Sequence, residues 1–237
     1  MKNTNRLSSG FSLVELLVGI GIIALISVLL LPAMRSVLDR SKLAKCQNNL
    51  RQITVAGLAY VADNDGFFPG RPVGAEITNP WYVGGTLPTD TSEDFRPLNA
   101  YTDYNYKLFI CPADTAEHPP VGGAAWSKEP FHKTFGCSYY YNSYAGSQKN
   151  IKAGKEESGL FGKRLASIKK PAKMVFFGDQ DARAATGGAN WKTLALYWHS
   201  KPNQPLRANM SFVDGSMRLV DVMEGYEDGE YGFYNKE

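Results

Sequence analysis

The 237-residue chain has room for one globular domain plus a long N-terminal element, or for two very small domains. With 43% hydrophobic and 21% charged residues it is a foldable chain rather than a disordered one, and 13 Tyr and 12 Phe supply core material. The net charge of +3 becomes 24 basic against 23 acidic groups once Lys2 and Arg6 of the first ten residues are set aside, which gives no electrostatic basis for nucleic-acid binding.

Residues 1–10, MKNTNRLSSG, are polar and basic, and Phe11 to Leu31 follow as 21 residues with a single charge, Glu15. As a helix that run is about 31 Å long, the hydrocarbon thickness of a bilayer. The basic leader stays on the cytoplasmic side and directs the remainder outward. An ordinary cleaved secretory signal has a shorter apolar region followed by a small-x-small site, and Leu31-Pro32-Ala33 is a poor substitute for one. A plain signal anchor leaves Glu15 without a purpose, because a carboxylate in a membrane helix is costly unless it has a partner.

The run Gly10-Phe11-Ser12-Leu13-Val14-Glu15 resembles the processing site of type IV prepilins: a short basic leader ending in Gly, then Phe, with Glu at the fifth mature position. The resemblance implies cleavage of the Gly10–Phe11 bond by a prepilin peptidase and N-methylation of Phe11. It also implies that Glu15 is the assembly carboxylate. A buried carboxylate is tolerable beside a cation, and the terminal amine that cleavage frees on a neighbouring subunit is one. Pro32 sits where pilin-like proteins carry a helix-bending proline, and a proline inside a helix removes a backbone donor and clashes with the carbonyl four residues back.

Beyond Pro32, Leu43, Cys46, Leu50, Ile53, Gly57 and Tyr60 recur in steps of three and four, which predicts one apolar helix face. Asp63-Asn64-Asp65-Gly66 ends the pattern, with Gly66 suited to the left-handed position past a helix terminus. The same four residues resemble the start of a calcium loop, but the twelfth position, where a Glu is required, is Gly74. One helix over about residues 11–63 is therefore expected, its second half packed on a globular domain. Residues 66–135 read as loop with short strands, Tyr101–Ile110 and Cys137–Tyr141 being the better strand candidates. Met174–Gly178 and Leu194–Trp198 are short apolar runs. Met210–Val213 and Met217–Val222 flank Asp214-Gly215, a strong hairpin signal, and from Glu224 the acidic, Gly/Tyr-rich tail shows no clear element.

The three cysteines, Cys46, Cys111 and Cys137, leave at least one thiol free or bonded to another chain. Cys111 and Cys137 enclose 25 residues and are the candidate disulfide pair, a bond contributing roughly 3–4 kcal/mol in an oxidising compartment. Cys46, on the helix stripe, is expected to be buried and unpaired. There is no CxxC pair, and His118, His132 and His199 complete no zinc spacing, so neither a metal nor another cofactor is expected. Nucleophile-elbow and phosphate-loop motifs are also missing, and no enzymatic activity is expected. His199 with Asp214, and Asp179 with Asp181, make either a metal or ligand site or structural contacts. The structural reading has Asp214 forming the turn and His199 capping a strand edge. Tyr139, Tyr140, Tyr141, Tyr144 and Trp191 make either a binding face or core, and core packing is the expected use.

Taken together, Cys46–Ile53, Phe68-Pro69, Cys111-Pro112-Ala113-Asp114, Ser138-Tyr139, Asn142, and His199 with Asp214-Gly215 resemble one branch of the pilin-like group, bacterial proteins with a C-terminal His-x9-Asp-Gly motif. Fourteen residues separate His199 from Asp214 instead of nine, so Ser200–Leu206 reads as an insertion. The resemblance implies an α+β fold in which a long N-terminal helix packs on a small, mostly antiparallel sheet with long loops. Its parts are a leader (1–10), a membrane and assembly helix (11–33), the outer half of the helix (34–63) and a head (64–237). The implied protein is a pseudopilin of a type II secretion-like filament, single-pass in the bacterial inner membrane, with its N-terminus cytoplasmic and its head periplasmic. Its partners are prepilin peptidase, other pilin-like subunits and an inner-membrane assembly platform. Two other readings are a type IV pilin for adhesion, motility or DNA uptake, and a membrane-tethered ligand-binding module.

Overall fold

In the computed structural model, residues 12–70, 83–86, 96–115, 129–143, 159–184, 197–200 and 204–222 are described. The chain divides into two compact units, residues 1–41 and 42–237. The division falls within a helix, whose residues 42–63 belong to the second unit. Helix α1, Leu13–Asp63, is close to the expected extent and contains Pro32. It ends as anticipated. Asn64 caps the Tyr60 carbonyl through both its backbone N–H (3.0 Å) and its side-chain amide (2.8 Å). Asp65 and Gly66 then take left-handed φ values of 52° and 79°, and the Gly66 N–H reaches the Val61 carbonyl at 2.9 Å.

In the second unit, Cys46, Leu50, Ile53 and Val61 of α1 are buried as one stripe. They pack on a sheet which, among the described residues, has four strands: β1 (Tyr139–Tyr141), β2 (Val175–Asp179), β3 (Arg207–Phe212) and β4 (Met217–Asp221). The order is β1-β2-β3-β4 and every neighbouring pair is antiparallel. A short helix, α2 (Phe131–Phe135), leads into β1. Phe212 faces Val175 and Ser211 faces Phe177, so Phe176 is an extra residue in β2. Such a bulge breaks strict alternation and lets Phe176 and Phe177 both enter the core that α1 covers, their rings stacked at 4.2 Å. The ring of Phe68 meets Phe176 edge-on at 5.2 Å, and Tyr141 donates its hydroxyl to the Pro69 carbonyl at 3.0 Å. Tyr139 and Tyr141 belong to this core as well, and Tyr140 to the second one, so these three tyrosines are packing residues. Tyr144 and Trp191 lie outside the described residues.

A second core of Tyr140, Val175, Ala208, Met210 and Phe212 is completed by Ala182 of helix α3 (Gln180–Ala184). A Cβ on Gly178 would stand 2.4 Å from the Ala182 Cβ, so only glycine lets α3 fold back on the strand it follows.

Three expectations are corrected. Tyr101–Ile110 is not a strand but part of two 3-10 turns, Pro97–Thr102 and Tyr106–Phe109. Asp103 and Tyr104 between them adopt φ of 50° and 53°, which ends any extended run, and Thr102 Oγ1 bonds back to the Leu98 carbonyl at 3.1 Å. The aromatic residues that suggested β structure serve these turns instead. The β3–β4 connection is longer than the two residues expected: Val213-Asp214-Gly215-Ser216 forms it, closed by Phe212 N–H to Ser216 O at 2.9 Å, with Gly215 at φ 86°. Of the Leu194–Trp198 run, Tyr197 and Trp198 lie in a turn, not a strand, and 194–196 lie outside the described residues.

Candidate functional site

Four distant segments of the second unit meet at a cluster of ligand-type side chains. Cys46 comes from the buried stripe of α1, Cys111 follows the second 3-10 turn, Asp179 is the last residue of β2, and His199 lies on the 197–200 turn. His199 Nε2 lies 3.3 Å from Cys46 Sγ, 3.6 Å from Cys111 Sγ and 3.5 Å from Asp179 Oδ2. The two sulfurs are 2.8 Å apart. The side chains of His199 and Asp179 are 2% and 0% exposed, so solvent supplies neither of them with a partner.

The supports of this cluster are polar and specific. Asp179 Oδ2 accepts from the Asn209 backbone N–H at 2.8 Å and from its side-chain amide at 3.2 Å. The Asn209 side-chain oxygen accepts in turn from Gln47 Nε2 at 3.1 Å. Asp181, two residues beyond Asp179, accepts from the Tyr197 and Trp198 N–H groups at 3.0 and 2.8 Å and so fixes the turn that carries His199. Burial, and then the neighbouring Asp181 carboxylate, hold Asp179 well above the usual carboxylate range. Burial, and then contact with Cys111, raise the Cys46 thiol.

The first unit has a different character. The span Leu13–Leu31 is 19 residues long, and the candidate membrane window within it has none of its surface buried. A helix apolar all round and uncovered by protein is suited to lipid, and at 1.5 Å per residue it reaches about 28 Å. Ser27 returns its hydroxyl to the Ile23 carbonyl at 2.8 Å, so that polar group is satisfied within the helix. At its start, the Ser12 N–H donates to Glu15 Oε2 at 2.9 Å and the Glu15 N–H donates to Ser12 Oγ at 3.2 Å. This reciprocal pair is a capping box. Glu15, read in the sequence as the partner of a neighbouring subunit's terminal amine, also has an intrachain partner, since a carboxylate three residues after a serine reaches back to that serine's amide. Gly10 and Phe11 lie outside the described residues.

Residues 5–31 match the prokaryotic N-terminal methylation motif. The matched segment includes Gly10, Phe11 and Glu15 and stops where the apolar span stops, at Leu31. It supports a type IV pilin-like protein that prepilin peptidase processes, that associates with other pilin-like subunits and that is anchored through its N-terminal helix. The motif is that of a structural subunit, not of an enzyme. The chain matches no curated protein and no solved structure.

The residues singled out in the head have separate fates. Cys111 and Cys137 do not pair: all three cysteines are thiols, and the sulfur beside Cys111 belongs to Cys46. The Ser138 N–H bonds to the Phe109 carbonyl at 2.8 Å, and Cys137 turns to its own strand, with Sγ 3.3 Å from the Tyr139 N–H and 3.2 Å from the Tyr139 carbonyl. Burial pushes its thiol up to about 11. Nor do His199 and Asp214 form a pair. Asp214 lies in the exposed β3–β4 turn, where Oδ1 accepts from the Ser216 N–H and hydroxyl at 2.9 and 2.6 Å. His199 is instead enclosed with the two cysteines rather than capping a strand edge. Asp114 is an anchor: it accepts hydrogen bonds from Phe131, His132 and Ser138. Asn142 serves the sheet, donating its side-chain amide to the Val175 carbonyl at 2.8 Å. His118 lies outside the described residues. Asn209 drew no attention in the sequence and Gln47 stood there only within the Cys46–Ile53 resemblance, because a polar residue in a strand or on a helix carries no sign of what it will meet.

Proposed function

We propose that this protein is a pseudopilin, a structural subunit of a type II secretion-like filament in the bacterial envelope. Its precursor lies in the inner membrane with residues 1–10 cytoplasmic and the second unit periplasmic. Cleavage between Gly10 and Phe11 and methylation of Phe11 prepare it for assembly on an inner-membrane platform. The observation that carries this reading is the methylation motif running straight into a fully exposed apolar helix with an acid in its first turn.

The capping box gives the assembly step a physical form. In the lone chain Glu15 is held by the Ser12 amide and hydroxyl. In the filament the Phe11 amine of a neighbouring subunit takes over part of that carboxylate, replacing an amide–carboxylate hydrogen bond with an ammonium–carboxylate ion pair. Pairing between one subunit's acid and the next subunit's amine sets the axial register of the helices. Pro32 supplies a weak point in α1 at which the helix bends to pack.

The test is Glu15→Ala expressed in place of the native chain. Cleavage after Gly10 is expected to proceed normally, while cross-linked subunit ladders and secretion of the machine's exported proteins are lost. Normal secretion and ladders from that variant would remove the proposed role. Loss of surface filaments and motility, with secretion intact, would assign the chain to a pilus instead.

A further inference from the structure

We propose that Cys46, Cys111 and His199, with the Asp179 carboxylate at the fourth position, form a structural zinc site in the second unit. The two sulfurs and the ring nitrogen lie within 4.8 Å of one another. Zinc held at about 2.3 Å from sulfur and 2.0–2.1 Å from nitrogen or oxygen in a tetrahedron places S and N ligand atoms about 3.5 Å apart, and N and O atoms about 3.3 Å apart. The distances from His199 Nε2 are 3.3 and 3.6 Å to the sulfurs and 3.5 Å to Asp179 Oδ2. The last is too long for a hydrogen bond, yet it fits two ligands of one ion. The sulfurs, at 2.8 Å, stand about 1 Å closer than two zinc-bound thiolates do, so this is the pair that opens when the ion enters.

Charge makes the same case. Asp179 Oδ1 is buried and makes no hydrogen bond of good geometry, although the Ala182 N–H lies near enough to favour the charged carboxylate, while Oδ2 is held by Asn209. Buried anions persist where they are paired or bind a metal, and a divalent cation satisfies this carboxylate and two thiolates together. A Cys46–Cys111 disulfide accounts for two of the four groups. It leaves the buried imidazole and carboxylate to pair with each other at 3.5 Å, longer than a good hydrogen bond.

The surroundings suit a metal too. Ligating side chains are held in place by outer hydrogen bonds, a role filled here by Gln47 and Asn209 behind Asp179 and by Asp181 behind the His199 turn. Three ligands stand together already, and Asp179, beside His199, is the group at hand to close the fourth position of a structural site; thiolate, imidazole and carboxylate together suit zinc. The ion would cross-link α1, the Cys111 loop, the end of β2 and the 197–200 turn. This inference does not depend on the N-terminal processing or on a filament.

The experiment is elemental analysis of the full chain, purified in detergent without chelator. About one zinc per chain is expected, retained in Cys137→Ser and lost in Cys46→Ser, Cys111→Ser and His199→Gln. To separate lost ligation from poor folding of those variants, the unaltered chain is also stripped with chelator and titrated with cobalt(II), which should give a thiolate-to-cobalt charge-transfer band. Asp179→Asn should weaken zinc affinity by more than the roughly 10- to 100-fold that loss of an outer hydrogen-bonding partner costs, and unchanged affinity removes Asp179 from the set. A native chain that takes up neither zinc nor cobalt, or whose Cys46 and Cys111 peptides are recovered linked by a disulfide, overturns the proposal.

Discussion

Gly57→Leu is expected to destabilise the second unit by about 3 kcal/mol or more, the upper end of what overpacking costs. A Cβ at this position would lie 2.7 Å from Phe176 Cζ and 2.8 Å from Phe177 Cε2, and leucine adds three further carbons. The glycine is there because the β2 bulge directs two consecutive phenylalanine rings at one turn of α1. Gly57→Ala separates two opposing effects. Alanine gains about 1 kcal/mol in helix propensity over glycine, but its Cβ meets both rings at under 3 Å, so a net loss of about 1 kcal/mol is expected. Thermal unfolding of the detergent-solubilised chain measures both variants. Phe176→Ala is expected to be destabilising on its own and to recover part of the Gly57→Leu loss when the two are combined, as residues in contact do not add. A Gly57→Ala variant more stable than the native chain would mean that the rings yield and the helix is not held close.

Asp114→Ala is expected to cost about 3–5 kcal/mol, the range for removing one member of a buried charged network. Its carboxylate accepts from the Phe131 and His132 N–H groups at 2.6 and 2.7 Å and from the Ser138 hydroxyl at 2.7 Å, and lies 2.9 Å from His132 Nδ1. Helix α2 begins at Pro130, which offers no side-chain cap, so Asp114 caps it from a distance of 17 residues in sequence. Without the carboxylate, two helix-end amides and a buried hydroxyl lose their partner. Asp114→Asn keeps one acceptor oxygen and should lose about half as much. Hydrogen exchange at the Phe131 and His132 amides provides the local readout, with faster exchange expected in both variants. Unchanged protection there would show that α2 is held by packing alone.

Legibility in the sequence followed the range of the interactions. Helix α1 was visible nearly end to end, because a largely apolar run of 21 residues, a recurrence of three and four, and a terminal Asp-Asn-Asp-Gly are local signals. The β3–β4 hairpin and β2 were visible for similar reasons, through Asp214-Gly215 and the run from Met174. The Tyr101–Ile110 segment misled because aromatic residues favour strands only where a sheet receives them. Here left-handed Asp103 and Tyr104 turn the chain away first. The Ser12–Glu15 pair follows a recognisable spacing, but inside a longer processing motif Glu15 attracted a single reading. The cluster in the second unit was legible only in part: His199 and Asp179 stood out as a possible metal or ligand site, but with Asp214 and Asp181 as their partners rather than the two cysteines. Its members are separated by 65, 88 and 153 residues, and a rule based on close Cys and His spacing cannot see ligands that only the tertiary fold assembles.

The processing of the N-terminus tests the whole functional account most directly. Mass spectrometry of the native protein, taken from cells that possess a prepilin peptidase, is expected to find a chain that begins at Phe11 and bears a methyl group on its terminal amine. A functional protein that still carries residues 1–10, or one that begins near Met34 like an ordinary secreted chain, would contradict it.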